Sequence, residues 1–182
     1  MVAAYKAMPV APSIVDARDA YLSVMVANDT TDYTRAWAAF AKRGLGMGAI
    51  APPVESNTNS PVTESFDVGN DVVITAVTLD DVAKSCDNDG TLDGNESGFV
   101  HVEVSNIGVG ALTAAQVQVA VSSDTPEFSF ENGDSIALPA LQPFSSTTVD
   151  LPVSLAALSG KSMLSLSVSV VDASLLHGTR TL

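Results

Sequence analysis

The chain has 182 residues, of which 46% are hydrophobic, and its formal net charge is −13. This length suits one ordinary domain with an appendage or two small domains, and the hydrophobic share argues against global disorder. A surface this acidic repels phosphates and anionic lipids, which excludes nucleic acid and membrane surfaces as main partners. No run of about 18 apolar residues is present to span a bilayer, so no membrane insertion is expected.

The charge is uneven along the chain. Residues 1–50 carry five basic and four acidic side chains, whereas residues 51–182 carry three basic and seventeen acidic ones. The second part therefore suits binding of hard cations. The first residues have no charged region leading into an apolar stretch, so no signal peptide is recognised, and two expectations stay open: a cytosolic protein, or a fragment of a longer precursor.

Two helices are predicted near the start. Ser13, with Asp16 three residues later, forms a capping-box pattern in front of a helix over residues 14–27. The buried stripe expected for this helix consists of Ile14, Ala17, Tyr21 and Val24.

The second helix is predicted from about Asp32 to Arg43, with Gly44 as its C-terminal cap. Its spacing indicates an apolar stripe of Tyr33, Ala36, Trp37, Phe40 and Ala41. A Trp at this spacing is expected in a core rather than in a binding site.

Three prolines and many Ser, Thr and Asn residues lie between residues 48 and 65, a composition typical of a linker. The predicted organisation is a helical segment over residues 1–47, a linker over 48–70 and a β domain over 71–182. From about residue 71 the hydrophobic period changes to two, and strands are predicted at VVITAVT, FVHVEVS, AQVQVAVS, SIALP, TTVDLPV and SMLSLSVSVV. The fold class is thus mainly β: an immunoglobulin-like antiparallel β-sandwich preceded by a two-helix segment.

No catalytic motif is evident. The two histidines, His101 and His177, are far apart and outside the predicted helices, so they cannot form an H-E-x-x-H zinc site. His101 is expected on the solvated face of its strand. Cys86 is the one cysteine, either a semi-buried thiol or a bond to a partner cysteine outside the chain.

One cluster resembles a metal site. Residues 87–96 read DNDGTLDGNE, with carboxylates at short spacing and glycines for tight turning, and such loops wrap oxygen ligands around Ca²⁺. The glycine position differs from an EF-hand, so the alternative is a solvated acidic turn. The predicted ligands of a structural Ca²⁺ are Asp87, Asp89, Thr91, Asp93 and Glu96.

Two stretches of the helical segment read MPVAPSIVDARDAYLSVMVAND and, after a spacer, WAAFAKRGLGMGA. They resemble the end of the catalytic domain of fungalysin-type zinc metallopeptidases. In that family a proline precedes a D-A-R-D-A helix, and a Trp-containing helix then ends in F-A-x-R-G-x-G. The resemblance covers about residues 5–49, and the matching positions are Pro12, Asp16, Ala17, Arg18, Asp19, Ala20, Trp37, Phe40, Ala41, Arg43, Gly44, Leu45 and Gly46. The region CDNDGTLDGNESGFVHVEVSNIGVGAL is similar, more loosely, to sandwich modules that follow secreted bacterial proteases.

These resemblances imply the non-catalytic C-terminal portion of a secreted or cell-surface metallopeptidase, not an enzyme in itself. Zn²⁺ would then belong only to the missing upstream catalytic domain, which is the first expected partner. A protein or extracellular surface is the second, and self-association through the helical segment is the third. Two alternatives remain open: a free-standing adhesion or carbohydrate-binding β-sandwich module, which the ten aromatics of the chain disfavour, and a cytosolic regulatory protein.

Overall fold

The computed structural model describes residues 2–121, 127–157, 164–176 and 179–182. In these ranges the helices are α1 Val2–Ala7, α2 Ile14–Val26 and α3 Thr30–Ala41. The strands are β1 Val72–Leu79, β2 Glu96–Asn106, β3 Gln116–Val121, β4 Phe128–Phe130, β5 Ser135–Ala137, β6 Ser146–Leu155, β7 Leu166–Val171 and β8 Arg180–Thr181. The chain divides into two compact units. The helical unit runs to Asp71 and includes Ile107–Gly110, and the β unit comprises Val72–Asn106 and the chain from Ala111.

Helix α2 begins at the predicted capping box. The Asp16 backbone N–H donates to Ser13 Oγ at 3.1 Å, and the Ser13 N–H donates to Asp16 Oδ2 at 2.8 Å. The Ser13 hydroxyl and backbone bonds hold the pKa of Asp16 below its ordinary value, because both favour the charged carboxylate. The start of this helix is therefore confirmed. Helix α1, which precedes it, was not predicted.

Helix α3 begins earlier than predicted. Asp29 is its N-cap and accepts hydrogen bonds from the N–H groups of Thr31 and Asp32 at 2.8 and 3.0 Å. At the other end Gly44 has a φ of +79°, which glycine adopts without steric cost. The Leu45 N–H donates to Phe40 O, as in a Schellman motif, so the predicted capping role of Gly44 is confirmed.

The buried face of α2 differs from the predicted stripe. Ile14 is 58% exposed, whereas Arg18, Ala20 and Leu22 are buried. Arg18 is buried because its guanidinium has partners: Nη1 donates to Leu45 O at 3.0 Å and to Gly46 O at 2.7 Å, and Nε donates to the Asp19 carboxylate at 2.7 Å. A hydropathy period cannot anticipate an arginine whose acceptors lie 27 and 28 residues away.

Trp37 and Tyr33 form the centre of the helical unit, as the spacing predicted, with exposures of 1% and 2%. The Trp37 indole N–H donates to the Tyr33 hydroxyl at 2.9 Å, and that hydroxyl donates to Gly108 O at 3.1 Å. The guanidinium of Arg18 lies 5.0 Å from the Trp37 ring centroid, in the range of a cation–π contact. The two aromatic side chains thereby tie α3 to Ile107–Gly110, which belongs to the same unit.

The segment after α3 returns to the helical unit rather than leaving it. Ile50 and Thr63 exchange backbone hydrogen bonds at 2.9 and 3.0 Å, and Gly46 N–H donates to Ser65 O at 2.6 Å. A Cβ on Gly46 would lie 2.6 Å from two carbonyl oxygens, so this close approach requires glycine.

Within its described residues, the β unit contains two antiparallel four-stranded sheets, ordered β1-β2-β6-β4 and β5-β3-β7-β8. The mainly β, antiparallel part of the predicted fold class is therefore confirmed. In the first sheet β2 is central and pairs with β6 from Glu96 opposite Leu155 to Ser105 opposite Ser146. Strand β1 forms one edge, and its register shifts between Ile74 and Ala76, a β-bulge.

The core of the β unit comes from alternate residues of both sheets. Val100, Val102 and Val104 of β2 are 0% exposed, as the period of two predicted. From the other sheet, Val117 and Val119 of β3 join the same buried cluster. All six predicted strands are present in the described residues, although Ser122 of the third predicted strand and residues 162 and 163 of the last one lie outside them. The short strands β4 and β8 were not predicted.

Candidate functional site

The loop between β1 and β2, residues 80–95, contains the acidic cluster singled out in the sequence. Its root is fixed by backbone contacts: Asp80 N–H donates to Phe99 O at 3.1 Å, and Lys84 and Ser97 exchange hydrogen bonds at 2.9 and 3.0 Å. A Cβ on Gly98 would lie 1.8 Å from Asp80 O. Only glycine lets the loop backbone approach β2 this closely.

The Glu96 side chain, 2% exposed, closes this loop from inside. Its Oε1 accepts from the Cys86 N–H at 2.5 Å, and its Oε2 accepts from the Asp93 N–H at 2.9 Å. The bond from Cys86, followed by that from Asp93, lowers the pKa of Glu96, since both stabilise the carboxylate. The Glu96 carboxylate therefore provides hydrogen-bond acceptors for the backbone N–H groups of Cys86 and Asp93 within the loop.

Three carboxylates of the loop converge. Asp81, Asp87 and Asp89 each offer one oxygen, and these oxygens lie within 4.8 Å of one another. Asp81 is 2% exposed, and its Oδ2 accepts from Ser85 Oγ at 2.5 Å. Oxygens that bind one Ca²⁺ at about 2.3–2.6 Å are separated by at most about 5 Å. The spacing of this group, called here the aspartate group, is therefore compatible with a single cation.

The predicted ligands divide into two sets. Asp87 and Asp89 belong to the aspartate group, and the Thr91 N–H donates to Asp89 Oδ1 at 2.7 Å, which orients that carboxylate. Asp93 and Glu96 lie outside the group, joined to each other through the backbone of Asp93. The third member of the group, Asp81, precedes the predicted ligand run and is brought to it by the turn after β1.

A second polar cluster lies beside the loop root and was missed by the sequence reasoning. His101 Nε2 lies 2.6 Å from Asp80 Oδ2, and His101 Nδ1 lies 2.7 Å from Asp150 Oδ1. His101 lies on the strand face opposite the buried valines, as predicted, and its side chain is 29% exposed. The prediction did not include the two carboxylate partners of its ring nitrogens. Only the strand register, which sets His101 opposite Asp150, could have indicated this cluster.

The pKa values in this cluster shift in opposite directions. The hydrogen bond with Asp80, followed by that with Asp150, raises the pKa of His101 above its ordinary value, against the effect of burial. Burial acts to raise the pKa of Asp80, but the hydrogen bonds from His101 and from the N–H groups of Phe99 and Val82 outweigh it, so that the pKa is lowered. The raised pKa of His101 and the lowered pKa of Asp80 both favour an imidazolium paired with a carboxylate.

The remaining candidate residues from the sequence are Cys86 and His177. Cys86 is exposed, so the semi-buried thiol is the wrong alternative. His177 lies outside the described residues.

Comparison with protein families relates the first part of the chain to peptidases. Residues 1–49 match the family model described as Fungalysin metallopeptidase (M36). The resemblance noted in the sequence is confirmed over this segment, which is peptidase-related. The matched residues contain neither histidine nor cysteine, so they offer carboxylates but none of the imidazole or thiolate ligands typical of zinc sites. They do not fit a complete zinc centre.

The other comparisons add little. No curated protein matches the chain. Among solved structures, the chain is similar to a conjugative transposon lipoprotein from Bacteroides eggerthii DSM 20697, at 12% identity over 64% of this chain and 94% of that one. The TM-score is 0.29, and at that value the similarity carries no argument. In the described part of the chain, the helices are all too short or too polar to cross a bilayer.

Proposed function

We propose that this chain is the non-catalytic C-terminal portion of a secreted fungalysin-like zinc metallopeptidase. The observation that carries the proposal is the match of residues 1–49 to that family. On this account the helical segment, residues 1–47, is the last part of the catalytic domain, and Zn²⁺ is held by residues upstream. The β unit binds substrate or an extracellular surface, or assists export and stability.

The exposed surface of the helical unit supports the proposal that another domain packs against it. Four apolar side chains near its start are exposed: Val2 at 71%, Tyr5 at 67%, Val10 at 99% and Ile14 at 58%. Contiguous apolar patches on a protein surface tend to be covered by a partner. The upstream catalytic domain is the partner proposed here, and in its absence a second copy of the chain would take its place.

The strand order supports an immunoglobulin-like assignment for the β unit. Constant-type immunoglobulin domains have strands A-B-E-D in one sheet and C-F-G in the other. The spatial strand order β1-β2-β6-β4 matches the A-B-E-D sheet, and the order β3-β7-β8 matches the C-F-G sheet. Strand β5 is an additional strand beside β3. Such domains serve as binding or spacer modules on many extracellular proteins, which suits the proposed role.

The alternative, a free-standing carbohydrate-binding module, has less support. Sugars stack on flat exposed rings, and the described aromatic residues of the β unit are buried or half-buried: Phe99, Phe128, Phe130 and Phe144. The described part of the β unit therefore lacks the row of exposed aromatic rings that sugar binding uses.

Peptidase assays test the non-catalytic part of the proposal. The purified chain, incubated with casein and Zn²⁺, is expected to release no peptides, because the matched segment lacks imidazole ligands. Zn²⁺-dependent cleavage that is abolished by a substitution such as His101→Gln would contradict it. A substitution within the chain is essential to this test, because it distinguishes cleavage by the chain from cleavage by a contaminating peptidase.

We further propose that the aspartate group binds a structural Ca²⁺. Three carboxylates whose oxygens lie within 4.8 Å repel one another, and a divalent cation removes that repulsion. Gly90, with a φ of +81°, allows the tight turn between Asp89 and Thr91. The ion would fix the entry of the chain into β2. Extracellular modules bind Ca²⁺ with dissociation constants of about 10⁻⁴–10⁻³ M, so about 1 mM calcium would occupy half or more of such sites.

Thermal unfolding in EDTA and in millimolar Ca²⁺ tests the site. For a dissociation constant of about 10⁻⁴ M, about 10 mM Ca²⁺ is about 100 times that constant and should stabilise the folded chain by about 2.7 kcal/mol. We expect Asp89→Ala to lose this gain and Asp134→Ala, at an exposed position before β5, to keep it. An unchanged melting temperature of the unmodified chain would identify the loop as a solvated acidic turn instead.

A further inference from the structure

The cluster of Asp80, His101 and Asp150 connects three elements of the first sheet through side chains. His101 lies on β2, Asp150 is directly opposite it on β6, and Asp80 follows the end of β1 at the root of the acidic loop. Backbone pairing already joins these strands, so the side-chain bridge is an additional link. Its special property is that a single ring makes both connections.

The chemistry of that ring determines its protonation state. Both partners are carboxylates, which only accept hydrogen bonds, at 2.6 and 2.7 Å from the two ring nitrogens. A neutral imidazole has one N–H donor, whereas the imidazolium has two. The two short contacts can therefore exist together only when His101 is protonated. Distances this short are typical of charge-assisted hydrogen bonds.

The remaining groups that face the ring reinforce this state. From the end of β1 the charged group is Asp80, from β6 it is Asp150, and on β2 itself Glu103 lies two residues away on the same face. The position opposite His101 on β1 is the uncharged Thr78. The charged groups on these three elements that face His101 in the described residues are thus acidic, and both of its contact partners favour the proton. The ring is exposed enough to exchange that proton with solvent.

We propose that His101 is a pH-sensitive clamp, closed as the imidazolium between Asp80 and Asp150 and opened when it loses one proton. On opening, the remaining N–H stays with Asp80, which is also held by the N–H groups of Phe99 and Val82 at 3.0 and 3.3 Å. Asp150, 54% exposed, is released into solvent. The clamp then no longer connects β6 to the root of the acidic loop, and the negative charge of this face increases by one.

The sign of the pH dependence follows from the raised pKa of His101. Protonation stabilises the folded chain fully below the ordinary histidine pKa of about 6.5, and the stabilisation is lost as pH rises through the higher folded-state value. The clamp does not depend on the peptidase assignment or on calcium, so all measurements are made in EDTA.

The direct test is NMR titration of the two histidine rings, with His177→Gln used for assignment. We expect both His101 ring nitrogens to be protonated at pH 7, a pKa above that of an ordinary histidine, and a lower pKa in Asp150→Asn. A neutral single-N–H ring at pH 7, or an Asp150→Asn variant that titrates like the unmodified chain, would overturn the proposal.

Urea unfolding at pH 6 and pH 9 provides the second measurement. The unmodified chain and His177→Gln should both have a lower midpoint at pH 9, and His101→Gln should lose less between the two pH values, because Gln does not titrate. An equal loss in His101→Gln and in the unmodified chain would overturn the proposal. The titration remains decisive if that variant does not fold.

Discussion

Replacing Tyr33 by Phe should measure how strongly the helical unit depends on one buried hydroxyl. That hydroxyl accepts from the Trp37 indole N–H at 2.9 Å and donates to Gly108 O at 3.1 Å. Phe keeps the ring but removes both bonds, and the buried indole N–H loses this acceptor. A buried polar group without its partner costs about 1–3 kcal/mol, so the free energy of unfolding should fall by that amount.

Urea unfolding followed by tryptophan fluorescence is the appropriate assay, because Trp37 is the one Trp of the chain and reports on this unit. Tyr5→Phe is the matched control, since Tyr5 is 67% exposed and the change should alter stability by less than about 0.5 kcal/mol. A Tyr33→Phe variant as stable as the control would refute the reasoning, and so would a loss equal to that of Trp37→Ala, for which about 3–5 kcal/mol is expected.

Three further substitutions test other parts of the fold, with unfolding followed by circular dichroism rather than by Trp37 fluorescence. Arg18→Met removes charged hydrogen bonds to two backbone carbonyls and should lower the free energy of unfolding by about 1.5–3 kcal/mol. The control Arg35→Met, at a side chain 76% exposed, should cost less than about 1 kcal/mol. Equal losses would contradict a stabilising role for the buried Arg18 guanidinium. Gly98→Ala places a Cβ 1.8 Å from a backbone oxygen and should destabilise the β unit by about 1–3 kcal/mol or more, so a variant of normal stability would show that the loop root can move away. Ser13→Ala removes the cap of α2 and should cost about 0.5–2 kcal/mol; no loss in circular dichroism melting would mean that the cap contributes nothing.

Features encoded by neighbouring residues were predictable from the sequence. The capping box of Ser13 and Asp16, the role of Gly44 after α3 and the alternation of valines in β2 all follow from spacing within one element. The short strands β4 and β8, of three and two residues, carry too few residues for a period to be recognised. Their existence depends on pairing with another strand, β4 with β6 and β8 with β7.

The candidate site was predictable only in part, for the same reason. The run from residue 87 to residue 96 identified Asp87 and Asp89, but the convergence of Asp81 depends on the turn after β1. Glu96 has the acidic character of a ligand, yet its carboxylate accepts from the backbone of Cys86 and Asp93. Composition gives the charge of a loop, whereas the path of its backbone determines which carboxylates meet.

The central claim is that these residues continue a peptidase polypeptide, and mass spectrometry of the native protein tests it most directly. The account predicts a longer polypeptide whose peptides extend upstream of residue 1 and include an H-E-x-x-H sequence, the motif that binds zinc in metalloproteases. A native polypeptide that begins at residue 1, with no covalently joined upstream segment, would contradict it.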